Sequence, residues 1–462
     1  VSKSTRERSV PENESLSLDG DRILRGQSAE VTFPPPSTVQ RTAWGAIVLL
    51  AIMLFGGTLM RAVFGPLQDA AKIDLRISDV QMGIVQGLGT GGPIALLSVP
   101  IAWFIDHGNR KRLLVVLMLL CVGGTFWTSF VHSLPGLFMS RTIGSLGALA
   151  AISVVISMAA DMSTRAHRGK VLLLLSLGVW AGLAAAVAVG GTLFDYFDHH
   201  ADWLFGPTAS WREAHIVVAF IGAVLVAPVL VIREPGRHEI ETHSTSVTPA
   251  LRALWAKKQF LAPLFVGQLG VVMAETAAGI WSAPVLIRDY HQTPGQFAGW
   301  VGGAILFSGI LGSAIGAVSA DRGQRSGKRG ALLYGAVMAS VVAIPVAFFP
   351  IMPTLTGFAI LFTLVMLCGT IHDIVSSIAV TVMIPNEERG ICMALFGIVR
   401  SIIGFSLAPL LVTWGSLALG GESHLAFSLA IVGAVTGVLS LAGYALCVRH
   451  APIVEPARPS QA

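Results

Sequence analysis

The sequence predicts an all-α membrane protein of twelve transmembrane helices arranged as two six-helix parallel repeats, and three observations lead there. Of 462 residues, 53% are hydrophobic and only 12% charged, with a mean hydropathy of +0.72. That leaves too few polar side chains to cover a water-exposed surface of this size. Long apolar runs recur from about Ala43 to Arg449. About 20 apolar residues cross the hydrocarbon, and runs without period-two alternation satisfy their backbone as helices, not as barrel strands. Finally, an acid followed by clustered bases occurs twice, 215 residues apart: Asp106 with Arg110, Lys111 and Arg112, then Asp321 with Arg322, Arg325, Lys328 and Arg329.

The polar start, with "PENESLSLDGD" and "FPPPS", buries too little apolar surface to order itself and reads as a flexible tail over 1–41. It has no basic stretch leading into a short apolar core and cleavage site, so the first membrane helix is expected to direct insertion. Apolar runs between polar breaks place six helices near 42–67, 79–105, 113–132, 135–160, 171–196 and 214–232. Six more follow near 259–287, 296–320, 330–349, 354–384, 391–416 and 424–448. The expected units are therefore a first bundle over 42–232, a polar linker over 233–258, a second bundle over 259–449 and a tail over 450–462. The end of the linker, "LRALW", reads either as a plain tether or as a short amphipathic helix on the membrane surface. "HRGK" (167–170) and "ERGI" (388–391), 221 residues apart, mark the starts of helices 5 and 11. Parallel repeats of this kind place a binding site between the halves.

Of the 31 Lys and Arg, 24 fall on one side of this topology; Lys72, Arg76, Arg212 and Arg288 fall on the other. The positive-inside rule then puts both termini and the linker in the cytoplasm of an inner or plasma membrane. The net charge of +5 is a topology signal, and nucleic acid drops out as a partner. Cys121, Cys368, Cys392 and Cys447 lie in apolar segments, with no metal-ligand spacing.

Each acid-plus-base knot joins two helices by a very short loop. An acid at a helix C-terminus opposes the helix dipole, so it calls for a nearby cation or another helix N-terminus. Asp106, Arg110, Lys111, Arg112, Asp321, Arg322 and Arg325 are read as a cytoplasmic gate, made when that side closes and broken when it opens; for the bases alone, topology anchors suffice. The loops resemble the signature of the major facilitator superfamily over about 42–449. "IAWFIDHGNRKRLL", "ISDVQMGIVQGL", "SRTIGSLGALAA", "LGVWAGLAAAVAVGGTLFD" and "REPGR" resemble its spinster-like branch. The resemblance implies that helices 1, 4, 7 and 10 line a central cavity while 3, 6, 9 and 12 face lipid. It also implies lysophospholipid or sphingoid-lipid cargo, with proton coupling. The chain departs from the branch where Met60 precedes Arg61 in place of an acid, where Ala148 follows Arg141 in place of a glutamate, and where Trp180 replaces a proline.

Charge inside the membrane requires a wet cavity or a partner, and helices 3, 6, 9 and 12 have none in their interiors. Arg61, Arg141, Trp180, Glu275, His372, Asp373 and Arg400 are the candidate substrate-binding residues. Arg141 is read as a head-group or gating contact, or a structural pair; Arg61 either meets substrate or snorkels. Glu275 and Asp373 are the proton-coupling candidates; failing them, the carrier is an uncoupled facilitator. His372 and Asp373 point about 100° apart on a helix, so one of them faces the cavity. Arg400 neutralises Asp373 or Glu275, or meets substrate. Three arginines against two carboxylates suit an anionic or zwitterionic ligand. Glycines at four-residue steps on helix 2 (Gly83, Gly87, Gly91), helix 5 (Gly178, Gly182) and helix 8 (Gly312, Gly316) suit either static packing or surfaces that slide between the halves.

The sequence thus points to a secondary active or facilitative transporter of an amphiphilic lipid-like anion or zwitterion, working by alternating access as a monomer. The expected partners are that substrate, membrane lipids and protons, with no cofactor. The alternatives are a carrier of small organic anions or drugs, or a receptor or scaffold with a transporter fold. No phosphate-binding loop for ATP and no motif pairing a nucleophile with a base is found, so the chain is not read as an enzyme.

Overall fold

The computed structural model describes residues 42–200, 210–236 and 247–452; most of the expected tails (1–41 and 453–462) and the middle of the linker (237–246) lie outside the described residues. Among the described residues, twelve helices are long and apolar enough to cross a membrane. In the first half these are α1 (Trp44–Leu75), α2 (Asp79–His107), α3 (Arg110–Thr128), α4 (Leu134–Asp161), α5 (Arg168–His199) and α6 (Ser210–Leu230). In the second half they are α7 (Lys258–Arg288), α8 (Pro294–Arg325), α9 (Ala331–Ile351), α10 (Leu355–Met383), α11 (Glu388–Ala418) and α12 (Glu422–His450).

Most ends fall within a few residues of expectation. The exception is α1, which runs as Trp44–Ala62 and Phe64–Leu75 and so extends eight residues past 67. Gln68, Asp69, Lys72 and Asp74 look like loop residues to a hydropathy reading. Each has a partner on another helix, Asp74 with Arg212 of α6 at 2.8 Å and the others described below, and the helix therefore continues until Arg76 turns left-handed at φ 53°. In the linker, Val247–Ala256 is helical, with Trp255 71% exposed, so the amphipathic alternative forms there.

The internal repeat is visible in the helix caps. Ser78 and Thr293 close equivalent capping boxes at the starts of α2 and α8, with Gln81 and Gln296 as the reciprocal side chains. Ser133 and Thr354 cap α4 and α10, each accepting from the glycine three residues on. These pairs are 215 and 221 residues apart, the offsets of the basic loops.

The halves meet along two seams, α2 against α11 and α5 against α8, and through the far ends of α1 and α7. The α2 ladder builds the first seam. A Cβ at Gly87 would lie 2.4 Å from the Ser406 carbonyl oxygen, and one at Gly91 2.4 Å from that of Ser401. Opposite them α11 widens into a π-helix over Arg400–Leu407, in which the Ser406 hydroxyl donates to the Ser401 carbonyl at 3.0 Å. The other two ladders serve static packing within a half: Gly178 and Gly182 meet Ala51 and Phe55 of α1, and Gly312 and Gly316 meet Thr370 and Ile374 of α10. The α5–α8 seam uses Gly302 against Ala184 and Gly309 against Trp180. Four-residue spacing identifies a close-packed face without saying which helix approaches it.

A Gly87→Val substitution should force α2 and α11 apart at backbone level, since overpacking of this kind costs about 1–3 kcal/mol. The expected outcome is a lower thermal midpoint by intrinsic fluorescence together with loss of transport; an unchanged midpoint would contradict the close seam.

Candidate functional site

The ionic contacts between the halves lie on the face opposite the basic loops. Arg288, at the end of α7, forks onto Asp79 at the start of α2, with nitrogen–oxygen distances of 2.6 and 2.9 Å. It also donates to Asp69 on the extension of α1, through Nε at 3.1 Å and through Nη2. Lys72 bridges Asp79 (2.7 Å) and Glu422 of α12 (2.5 Å), and Glu422 accepts the Asp79 backbone N–H at 2.7 Å. Gln68 donates to the Ile280 carbonyl, and Thr293 to Asp195 at 2.7 Å. The hydrogen bonds and ion pairs identified between the halves among the described residues all belong to this face. Asp79 is 1% exposed and sits in the first turn of α2, where the helix dipole also favours its charge.

The expected gate on the basic face is arranged differently. Arg110 is buried inside its own half between Asp161 (2.5 Å) and Glu234 (3.1 Å), and Lys111 donates its backbone N–H to Glu234 at 2.6 Å and its ammonium to the Leu230 carbonyl. Asp321 and Arg325 pair only along their own helix, at 3.7 Å, and both are exposed. Asp106, Arg112 and Arg322 form no ion pair among the described residues, so the expected gate contacts are not made in this structure. No ion pair or hydrogen bond identified among the described residues joins the halves on this face. The charges that close the structure as it stands went unassigned in the sequence reading. The signal was available: Lys72 and Arg288 are among the four cations placed away from the basic side, and Asp69 and Asp79 fall at helix ends on that same side.

Among the interior charges, Arg61 and Glu275 occupy equivalent heights, each seventeen residues into its helix, or about 26 Å from the basic face at 1.5 Å per residue. The Arg61 guanidinium has no hydrogen bond or carboxylate partner among the described residues. Arg141, 5% exposed, donates to the Arg61 carbonyl at 2.6 Å and lies 4.8 Å over the Phe64 ring, while its buried Nε has no partner. The titratable groups around the two arginines are each other, Cys121 and His215, with no carboxylate among them. In the second half, Arg400 pairs with Asp373 at 2.6 Å, which also accepts from Gln268 at 3.1 Å; Gln268 in turn accepts from the Tyr444 hydroxyl at 2.7 Å. The side chains of Arg400 and Asp373 are 28% and 36% exposed although both belong to the middle of membrane helices. Glu275 lies against Gly369 of α10 without a hydrogen bond among the described residues, with Asp373 and Arg400 within electrostatic reach.

Two expected site residues lie elsewhere. His372 is fully buried on the far side of α10, bonded to Ser340 at 2.8 Å and to the Cys368 carbonyl at 2.5 Å, with its ring against Tyr444. The 100° between neighbours turns Asp373 toward α7 and α11 and sends His372 into the packing with α9 and α12. Trp180 packs on Gly309 in the α5–α8 seam, so it is an interface side chain.

A family model described as Major Facilitator Superfamily matches residues 50–409. An "MFS-type efflux pump" of Mycolicibacterium smegmatis is 23% identical over 90% of this chain and 96% of its own. A "Probable 4-methylmuconolactone transporter" of Cupriavidus pinatubonensis is 25% identical over 66% of this chain and 70% of its own. Among solved structures, a bacterial homologue of the human lysosomal transporter Spinster, inward-facing and unoccupied, superposes with a TM-score of 0.74 at 18% identity, covering 88% of this chain and 97% of that one. The nucleoside transporter NupG gives 0.69 at 13% identity over 87% and 99%.

Arg288→Ala would leave Asp69 without its ionic partner and Asp79 with Lys72 alone. Each lost contact of a partly buried pair is worth about 1–3 kcal/mol. The face opposite the basic loops should therefore open more often, read as faster thiol labelling of single cysteines placed beside Gln68 and Ile280. Labelling at the parent rate would remove the cluster as a closure.

Proposed function

The chain belongs to the major facilitator superfamily, a family of transporters and not of enzymes, and from that premise we propose that it moves an amphiphilic anion or zwitterion, of the lysophospholipid or sphingoid-lipid kind, by alternating access. One observation carries the reading: Arg61, with Arg141 behind it, holds positive charge deep in the membrane with no carboxylate in reach. Such a charge is expensive unless it meets water or a ligand, and a guanidinium fork suits phosphate or carboxylate. Arg141, being buried, supports α1 at Phe64 and adds positive field. The Asp373–Arg400 pair on the opposite wall can meet a zwitterion's ammonium through its exposed carboxylate.

Glu275 stands at the height of Arg61 with no hydrogen-bond partner among the described residues. It is the group we assign to proton coupling, with Asp373 committed to Arg400 and Gln268. The basic face is taken as cytoplasmic, with the closed ionic face outward. A smaller organic anion is the second reading, favoured by the muconolactone transporter named among the relatives; Arg61 would serve it equally. Binding to purified protein across a lysophospholipid, a sphingoid phosphate, a fatty acid and a sugar phosphate separates the two.

Arg61→Ala should weaken binding of the preferred anion by about tenfold or more, as for loss of a charge-assisted hydrogen bond, while the thermal midpoint stays near parent. Unchanged affinity would remove Arg61 from the site. Glu275→Gln should leave equilibrium binding intact and abolish the pH dependence of flux into proteoliposomes; a preserved pH profile would exclude it as the coupling acid.

A further inference from the structure

The two basic loops are repeats in sequence but not in surroundings. In the first half, Arg110 is neutralised by Asp161 and Glu234. In the second, Glu388 at the start of α11 is engaged by Lys257. Arg322 and Lys328 are left exposed and without an acid among the described residues. They stand at the mouth of a groove of about 710 Å³ between α8, α9 and α10. Ser319 of α8 and Gly335 and Ala339 of α9 line its inner wall, and Leu367 and Ile371 of α10 floor it. It lies beside the close packing of α8 on α10 through Gly312 and Gly316 and of α8 on α9 where Gly335 meets Ser319. Its outer rim is lipid-facing in character: Met338 is 63% exposed and Tyr334 49%.

We propose that this groove is a binding site for an anionic membrane phospholipid. An acyl chain occupies the apolar trough along α9, and Arg322 and Lys328 hold the phosphate at the basic face. Apolar depth beneath unpaired cations matches that ligand in both its parts, and basic pockets between membrane helices suit anionic head groups. A zwitterionic lipid brings its own cation beside the phosphate and so adds no net negative charge to the two side chains, and a soluble phosphate would leave the trough unfilled. The site is separate from the interhalf cleft and does not depend on what the protein transports. Because α8 belongs to a seam and to the second basic loop, occupancy would also stiffen the element that must move when the halves rock.

The test uses the purified full-length protein in neutral detergent, titrated with dioleoylphosphatidylglycerol, dioleoylphosphatidylcholine, dihexanoylphosphatidylglycerol and glycerol 3-phosphate, following the thermal midpoint and bound lipid by native mass spectrometry. The long-chain phosphatidylglycerol should bind and raise the midpoint, and the other three should do so weakly or not at all. The double substitution R322A/K328A, on exposed side chains, should weaken phosphatidylglycerol binding roughly thirtyfold, taking about 1 kcal/mol for each cation near a membrane surface. K111A/R112A in the first loop should change it little. Equal stabilisation by phosphatidylcholine, an equal effect of glycerol 3-phosphate or of the short-chain lipid, or equal losses in the two double variants would each overturn the proposal.

Discussion

Arg288 belongs to one half of the molecule and its two carboxylates, Asp69 and Asp79, to the other; the conformation of everything else depends on that clamp. A surface ion pair contributes little, but Asp79 is buried and keeps its charge through Arg288 and Lys72 together. Opening that face must therefore admit solvent to three helix ends at once, α1, α2 and α7. Lys72 and Glu422 extend the same cluster to α12, so the closure behaves as one network.

The rest of the architecture lets the clamp act over a distance. Two seams of close backbone contact, α2–α11 and α5–α8, join the halves along their length and give them surfaces to roll on. Between the seams, the charges are divided by half: uncompensated arginines on the first, and an unpaired glutamate beside a salt-bridged aspartate on the second. A ligand bridging Arg61 and the Asp373 wall would draw the halves together around it. That couples occupancy to the state of the far clamp through rigid helices, with no need for a moving loop.

Much of this could be read in the sequence, because hydropathy, cation placement and the two basic loops are each one-dimensional signals. Twelve helices and their order follow from them. What could not be read are relations that depend on azimuth or on a distant partner. Asp69 and Lys72 look like a loop until Arg288, 219 residues from Asp69, is brought beside them. His372 and Asp373 differ by one step in sequence, yet that step turns one into the packing with α9 and α12 and the other toward α7 and α11. Gly178 and Gly182 have the spacing of the α2 ladder, but only the packing shows that they face their own half. Arg110 carries the superfamily signature, yet Glu234, from the chain beyond α6, takes it out of reach of the other bundle.

The π-helical stretch of α11, Arg400–Leu407, has a further consequence. Coils closed by longer rings turn less per residue than their α neighbours, so this stretch sets the azimuth of Arg400 relative to the α-helical turns that follow it. Because Arg400 stands next to Ser401, the residue against Gly91, the pair with Asp373 and the seam with α2 are carried by the same turns. A change of length here would disturb both at once, which ties the aim of the interior charge to the fit of the two bundles.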